Sequence, residues 1–381
     1  MKLKLLGRRS DAVVPNLVVA RRVIARMIAA AQSHLEDETG EALVGLIIPD
    51  EESGGATTIY VLDTIAPDDS ALRLYHTFQQ GDELQDELIW WLQENWRTHR
   101  LSLTGDRKQF DAPLRYLGDW HKQPGFMIQP SEGDLFTALD WIDDESNGMN
   151  FLLAPIVTLG HPSSAAAGGN YLTAPLSEGA ALRVDFWYID AQSQVFLPIA
   201  PVESPNDQIP SLAPYPWHLL DEKRFASEVR KIEDAGYFVS LTLWDTDGAL
   251  PLEVCLLTAR LGSDNLLILV TPYDYPAHPP TVRIAPFIHM GEDDDLYDVF
   301  AEAWEQSVPP QEAALFNPEE GLISLIHAVD PQPEPPNPPS EPSTQDAPAP
   351  NAEPPKAAPA PASSDAGTAP SGEISQQEAA S

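Results

Sequence analysis

Residues 117–135 read LGDWHKQPGFMIQPSEGDL and gather four polar side chains, His121, Gln123, Ser131 and Asp134, into one strand–loop–helix segment. The apolar run from Leu114 to Leu117 predicts a strand feeding the loop. Ser131 to Trp141 predicts a helix capped by its own first serine, with Leu135, Leu139 and Ile142 turned inward. A chain built around such a segment needs both strands and helices, so the expected class is α+β. His and Asp are good zinc ligands when a loop brings them together. A nearby Ser can donate a hydrogen bond to an oxyanion where water is excluded.

The spacing of His121, one residue, position 123, seven residues, Ser131, two residues and Asp134 resembles the signature of the JAMM (JAB1/MPN/Mov34) metallopeptidases, as does the aromatic Trp120 before the first histidine. The resemblance implies zinc held by His121 and Asp134, with Ser131 steadying the tetrahedral oxyanion. Gln123 stands where the family has its second zinc-binding histidine. An amide oxygen binds zinc far more weakly than imidazole, so zinc is expected to be weak or absent, with Gln123 a poor third ligand or one replaced by water. Upstream, ETGEALVGLII at residues 38–48 places Glu38 ahead of Gly45 and the apolar strand Leu43 to Ile48 at the family's spacing. In such enzymes this glutamate takes a proton from metal-bound water and returns it to the leaving amine. The residues alone also read as a solvated acidic loop from Glu36 to Glu41, in which Glu36 and Asp37 are further carboxylates.

The chain has 381 residues, which suggests two domains, and carries 22 basic against 58 acidic residues for a formal net charge of −36. That balance argues against nucleic-acid partners and against an anionic membrane surface. The one cysteine, Cys255, excludes an internal disulfide framework and multi-cysteine zinc modules. The start, MKLKLLGRRSDAVV, lacks the apolar stretch of a secretory signal, and no apolar run is long enough to span a bilayer. A cytoplasmic protein is the expectation.

Composition and the order of predicted elements divide the chain into an N-terminal extension (1–15), an α/β domain (16–203) that resembles the JAMM/MPN sandwich, a Pro-rich linker (204–217), a second α+β domain (218–330) and a tail (331–381). The tail is acidic, rich in Pro and Ala, and has almost no large apolar residue, so it is expected to be disordered. In the first domain a helix is expected over Leu17–Ala31, strands over Leu43–Ile48 and Thr57–Leu62, a helix over Asp82–His99 and a strand over Leu114–Asp119. Further strands are expected over Phe151–Leu159 and Ala181–Ile189, a mobile loop over His161–Asn170, and a hairpin of Val184–Ile189 with Gln194–Ile199.

In the second domain a helix, Leu220–Ala235, precedes strands at Phe238–Trp244, Leu252–Ala259 and Leu266–Thr271. TPYDYPAHPPTVRIAP follows, in which Tyr275, Pro276, Pro279 and Pro280 match the Tyr-Pro-x-x-Pro-Pro signature of the ubiquitin-conjugating fold, expected here after the last strand. Such prolines fix a rigid turn where no ladder N–H is needed. A working conjugating enzyme needs a nucleophilic cysteine downstream, and none follows Thr281. Cys255 lies upstream in LEVCLLTA, a strand interior where a buried thiol is expected. The resemblance therefore implies a conjugation-dead, UBC-like domain that binds through the surface around Tyr275–Pro280. GEDDDLYD at 291–298 lacks EF-hand spacing and reads as the acidic first turn of a helix. His161, His278, His289 and His327 fall in different elements and read as surface or packing histidines.

Two functions follow as expectations. One is a zinc isopeptidase of a prokaryotic-type ubiquitin-like system, impaired by Gln123. The other is a non-catalytic scaffold that binds ubiquitin-like proteins, their conjugates, or an activating or conjugating enzyme.

Overall fold

Leu17 to Ala20 form a strand, not the first turn of the expected helix. β1 (Asn16–Ala20) lies between two parallel neighbours and is largely buried. A strand covered on both faces reads as an unbroken apolar run, which periodicity does not separate from a buried helix. The helix begins only at Arg21, as α1 (Arg21–Ser33), burying Val23, Ile24, Met27 and Ala31.

The computed structural model describes residues 13–49, 56–81, 84–162, 169–176, 179–289, 291, 295–311 and 315–330. After α1 come β2 (Gly40–Ile48), β3 (Thr58–Ile65), a short hairpin of β4 (Leu72–Leu74) and β5 (Thr77–Gln79), α2 (Leu84–Arg100), β6 (Arg115–Lys122) and α3 (Glu132–Asp143). The strand expected over Phe151–Leu159 is interrupted at Ala154 and Pro155, whose ring removes a ladder donor. It becomes β7 (Phe151–Leu153) and β8 (Ile156–Pro162). β9 (Tyr171–Pro175) follows. Ala181–Ile189 likewise divides, into β10 (Ala180–Asp185) and β11 (Trp187–Asp190), where the Phe186 N–H turns away to Asn170 O at 2.7 Å. The expected hairpin shrinks to β11 against β12 (Leu197–Pro198), and β13 (Pro201–Ser204) pairs with β1.

Apart from the separate β4–β5 hairpin, the described strands up to Ser204 form one mixed eleven-stranded sheet, β12-β11-β7-β6-β2-β3-β1-β13, with β8 also beside β6 and β10 joining β8 to β9. α1 and α2 bury their apolar faces in the main core, whereas α3 packs a separate small cluster of Ala138 and Ile142 on Leu152 and Ile189.

The single helix expected over Leu220–Ala235 is two. α4 (Trp217–Leu220) ends at Asp221, whose carboxylate accepts from the Arg224 N–H at 3.0 Å and caps α5 (Glu222–Asp234). β14 (Tyr237–Trp244), β15 (Glu253–Arg260), β16 (Asn265–Thr271) and β17 (Thr281–Pro286) then form an antiparallel meander. The Tyr275–Pro280 turn thus precedes the last strand, joining β16 to β17, instead of following the meander. α6 (Leu296–Gln306) and α7 (Ile323–Val329) complete this half. β15 is covered on both faces: Val254 and Leu256 face the main core, Cys255 and Leu257 the cluster under Phe300 of α6.

Residues 204–217, expected as a linker, are fastened along the first half. Pro214 O accepts from the Trp91 indole at 2.9 Å, Pro210 O accepts from Arg22, and Asp207 O accepts from Arg107 at 2.9 Å. Leu252 N, just before β15, donates to Asn95 Oδ1 of α2 at 2.8 Å, and residues up to Asp330 belong to one compact unit. The tail 331–381, most of the N-terminal extension, residues 163–168 of the expected mobile loop and residues 292–294 of the acidic run lie outside the described residues. No described helix is long and apolar enough to cross a membrane.

Candidate functional site

β6 carries the site. Its alternation sends Trp120 into the main core, where the indole donates to Thr64 Oγ1 at 2.8 Å, and turns Asp119 and His121 to the opposite face. The register against β2 shifts at Leu117: Leu43 faces Gly118 while Val44 faces Tyr116. This bulge returns Tyr116 to the face of Asp119, although the two stand three residues apart. The Tyr116 hydroxyl donates to Asp119 Oδ2 at 2.6 Å. Gly118 has φ +124°, and a Cβ there would meet Leu153 O at 2.1 Å, so the bulge and the close approach of β7 both require glycine.

His121 is held between β2 and β8, its N–H donating to Pro155 O at 3.1 Å. Ser131 is the N-cap of α3, as its position in the sequence implied. Its Oγ accepts from Asp134 N at 3.2 Å while Asp134 Oδ2 accepts from Ser131 N at 2.6 Å, a reciprocal capping box. That box places Asp134 Oδ2 3.8 Å from His121 Nε2. Glu38 lies in the turn before β2, and its N–H donates to Leu74 O at 2.9 Å. The β4–β5 hairpin, absent from the sequence expectations, therefore fixes the glutamate. β2 itself opens at Gly40, not near Gly45, which sits in mid-strand. Glu41 points the other way, buried and accepting from Thr64 Oγ1 at 2.8 Å, and Glu36 is exposed.

Glu38, His121 and Asp134 thus line one cleft of about 520 Å³. Burial and then the Asp134 charge push the Glu38 carboxyl up to about 7, against a smaller opposing pull from Lys122. Burial lowers the His121 pKa, so the imidazole is held neutral. Asp119, Tyr116 and Trp141 line the same cleft and were missed in the sequence. The available signal was Asp119 standing two residues before His121, on the same face of a strand. Burial pushes Asp119 up to about 6, against the Tyr116 hydrogen bond and a weaker one from Gln80.

Ser131 and Gln123 do not line the cleft. Gln123 is buried behind His121, and one orientation of its amide satisfies both ends: Oε1 accepts from His121 Nε2 at 3.1 Å, while Nε2 donates to Met127 O at 2.7 Å and Gln129 O at 3.2 Å. In the reverse orientation Nε2 can donate to Asp134 Oδ2 at 3.4 Å and, in the other imidazole tautomer, to His121 Nε2 at 3.1 Å, but Oε1 is set against the Met127 and Gln129 carbonyl oxygens. In the satisfied arrangement His121 Nε2 carries the proton, so the lone pair a zinc ion would need is absent. Among the described residues no group of three or more His, Cys, Asp or Glu side chains is placed to hold a metal ion. Two good donors, one of them protonated toward an amide, do not fit zinc.

In the second half, Tyr275 is a core residue. Its hydroxyl donates to Glu228 Oε1 at 2.9 Å, its ring lies 4.8 Å from that of Trp217, and Glu228 Oε2 accepts from Leu322 N at 2.8 Å. Pro280 is also buried, so Pro276 and Pro279 alone of the four present themselves to solvent. The Cys255 thiol is buried, and burial raises its pKa well above the ordinary value.

No family model matches the chain, and no curated protein matches it. Among solved structures, the chain is similar to protein DSY2949 from Desulfitobacterium hafniense, at 12% identity over 50% of this chain and 93% of that one. The TM-score is 0.28, too low to establish a shared fold.

Proposed function

We propose that the chain is a cytoplasmic binding module of a ubiquitin-like system: a JAMM-like half whose cleft holds a peptide segment without hydrolysing it, joined to a UBC-like half that docks a partner without forming a thioester. The observation that carries the reading is Gln123, whose amide occupies His121 Nε2 and ties it to the Met127 and Gln129 carbonyls. A hydrogen-bonded amide takes the place of a metal–ligand bond and holds the loop closed without an ion. In the second half, the buried thiol of Cys255 supports the same conclusion, since thiolate is the nucleophilic form.

A second reading, an impaired zinc isopeptidase, is supported by Glu38, whose pKa of about 7 suits a general base. One experiment separates the two. The purified full chain is analysed for zinc and incubated with a ubiquitin-like fusion, beside Glu38→Gln. Substoichiometric zinc, with binding and no cleavage, is the expected result. A full equivalent of zinc, with cleavage abolished in Glu38→Gln, would overturn the binding-module reading.

A further inference from the structure

In the second half the meander ends on an unguarded strand. Among the described residues β14 pairs with β15 alone, which leaves the backbone N–H and C=O groups of its other side without a ladder. Val239 to Thr242 are half-buried, whereas Val254 to Thr258 of β15 are all buried. Exposed edges are ordinarily guarded by charge, proline or a bulge. β14 reads YFVSLTLW, with no charge and no proline, and its register against β15 runs without a shift. In a chain of net charge −36, two identical copies can meet along such a strip without opposing like charges. The face of β14 that carries Phe238, Ser240, Thr242 and Trp244 is unevenly covered. α6 packs on its far end, where the Trp244 ring lies 4.8 Å from Tyr297 and 5.0 Å from Phe300. Phe238, at the near end, is 70% exposed. Beside Trp244 a groove of about 350 Å³ opens between β14 and α2, lined by Trp90, Leu101, Thr242 and Tyr297. Trp90 and Tyr297 are 52% and 50% exposed there. One strand thus carries a protruding ring at one end and an aromatic groove at the other.

We propose that β14 is the docking edge for a second copy of this chain, the two strands pairing antiparallel about a twofold axis through Leu241. An axis perpendicular to the joined sheet keeps each face on its own side, so every residue meets one of its own parity. Centred on Leu241, the register sets Ser240 against Thr242 and Phe238 against Trp244, each pair occurring twice. Cross-strand aromatic pairs and Ser–Thr pairs are among those that stabilise antiparallel ladders. Phe238 of each copy then enters the groove of the other, beside its Trp244 and Tyr297. An axis at Ser240 would set Phe238 against Thr242, and one at Thr242 would carry it beyond the end of the strand. Either shift leaves the groove unfilled. An aromatic side chain covers about 150–250 Å², so burying the exposed parts of Phe238, Trp90 and Tyr297 removes about 350 Å² per copy. Leu101 and the strand backbone raise this to roughly 650 Å², or about 1,300 Å² for the pair, which lies within the range of stable protein interfaces. The two meanders become one continuous sheet, and neither keeps β14 as an edge.

The dimer is independent of what the cleft binds, and the full chain tests it. Sedimentation equilibrium from sub-micromolar to several hundred micromolar protein is expected to show a monomer–dimer equilibrium. Phe238→Ser, at an exposed position, is expected to weaken the dimer roughly a hundredfold, because each dimer loses two buried rings. Thermal melts report the folding of the variant. Hydrogen exchange needs no variant: the amides of residues 237–244 are expected to exchange more slowly at high than at low protein concentration. A chain that stays monomeric throughout would overturn the proposal, including one whose β14 pairs with a strand of a different protein. A dimer as tight in folded Phe238→Ser as in the natural protein would place the contact elsewhere and overturn it. So would a dimer whose β14 amides exchange equally fast at both concentrations.

Discussion

Restoring histidine at position 123 is expected to reverse the protein's response to zinc. In the metal-free state Gln123→His breaks the amide's contacts to His121 Nε2, Met127 O and Gln129 O. Each is a buried bond contributing about 1 kcal/mol net, and an imidazole recovers at most one of the two carbonyl contacts. The metal-free variant should therefore be less stable than the natural protein by about 2 kcal/mol. Zinc changes the sign. Donors about 2.1 Å from a tetrahedral ion stand about 3.4 Å apart, and His121 Nε2 and Asp134 Oδ2 are already 3.8 Å apart. A third ligand from position 123 completes a three-residue set with little movement. Zinc at a thousandfold excess over its dissociation constant would then stabilise the variant by about 4 kcal/mol, leaving it above the natural protein. Urea unfolding of both proteins in chelator and in added zinc measures this. A natural protein stabilised by zinc as strongly as the variant would refute the account of Gln123. So would a metal-free variant as stable as the natural protein.

Four further outcomes are expected. Glu38 has a folded pKa of about 7 against an ordinary value of 4.5, so between these values the folded state binds the proton more tightly and stability falls as pH rises. Glu38→Gln should therefore be more stable than the natural protein above pH 7, by about 1–2 kcal/mol after discounting for partial exposure, with the gain vanishing toward pH 4.5. Unfolding midpoints across pH check it, and a gain of opposite sign would refute the burial of this carboxyl. Gly118→Ala should destabilise by about 3 kcal/mol or more and abolish peptide binding, because both the φ of +124° and Leu153 O oppose a Cβ. Gly133→Ala, within α3 and meeting only Ser131 Oγ at 3.5 Å, should be neutral or slightly stabilising in the same urea assay. Cys255 should react with thiol reagents only on unfolding and form no thioester with activating enzyme, ATP and modifier. A reducible adduct lost in Cys255→Ser would refute this.

Much of the site was legible because its letters also build local structure. Ser131 announces a helix start by the same hydroxyl that caps α3, and Asp134 sits at the one position where a capping box needs an acceptor. The meander β14–β16 was legible from alternating and unbroken apolar runs within about a residue of its true limits. Misreadings occurred where a backbone interruption decides the element. Pro155 and Phe186 divide strands whose side chains remain apolar throughout, and Asp221 divides a helix by capping its second part. Leu17–Ala20 is too short for periodicity to speak. Asp119 escaped notice because its place in the cleft depends on the β6 face, and that of Tyr116 on a bulge no spacing rule contains.

The spacing of His121, Gln123, Ser131 and Asp134 is therefore weak grounds for catalysis, and two carboxylates beside it separate structure from function. Ser131 and Asp134 are explained by the capping box, and Gln123 by the two carbonyls and the ring nitrogen it satisfies. Removing a metal would leave all three with structural work. Glu38 has no such account. Its backbone is pinned by Leu74, but its carboxyl is pushed to about 7 by burial and by Asp134, so ionisation at neutral pH opposes folding. Asp119 is in the same position, raised to about 6 by burial against the Tyr116 and Gln80 hydrogen bonds. Carboxylates held against their own ionisation in a concave, aromatic-walled site mark functional positions more often than structural ones.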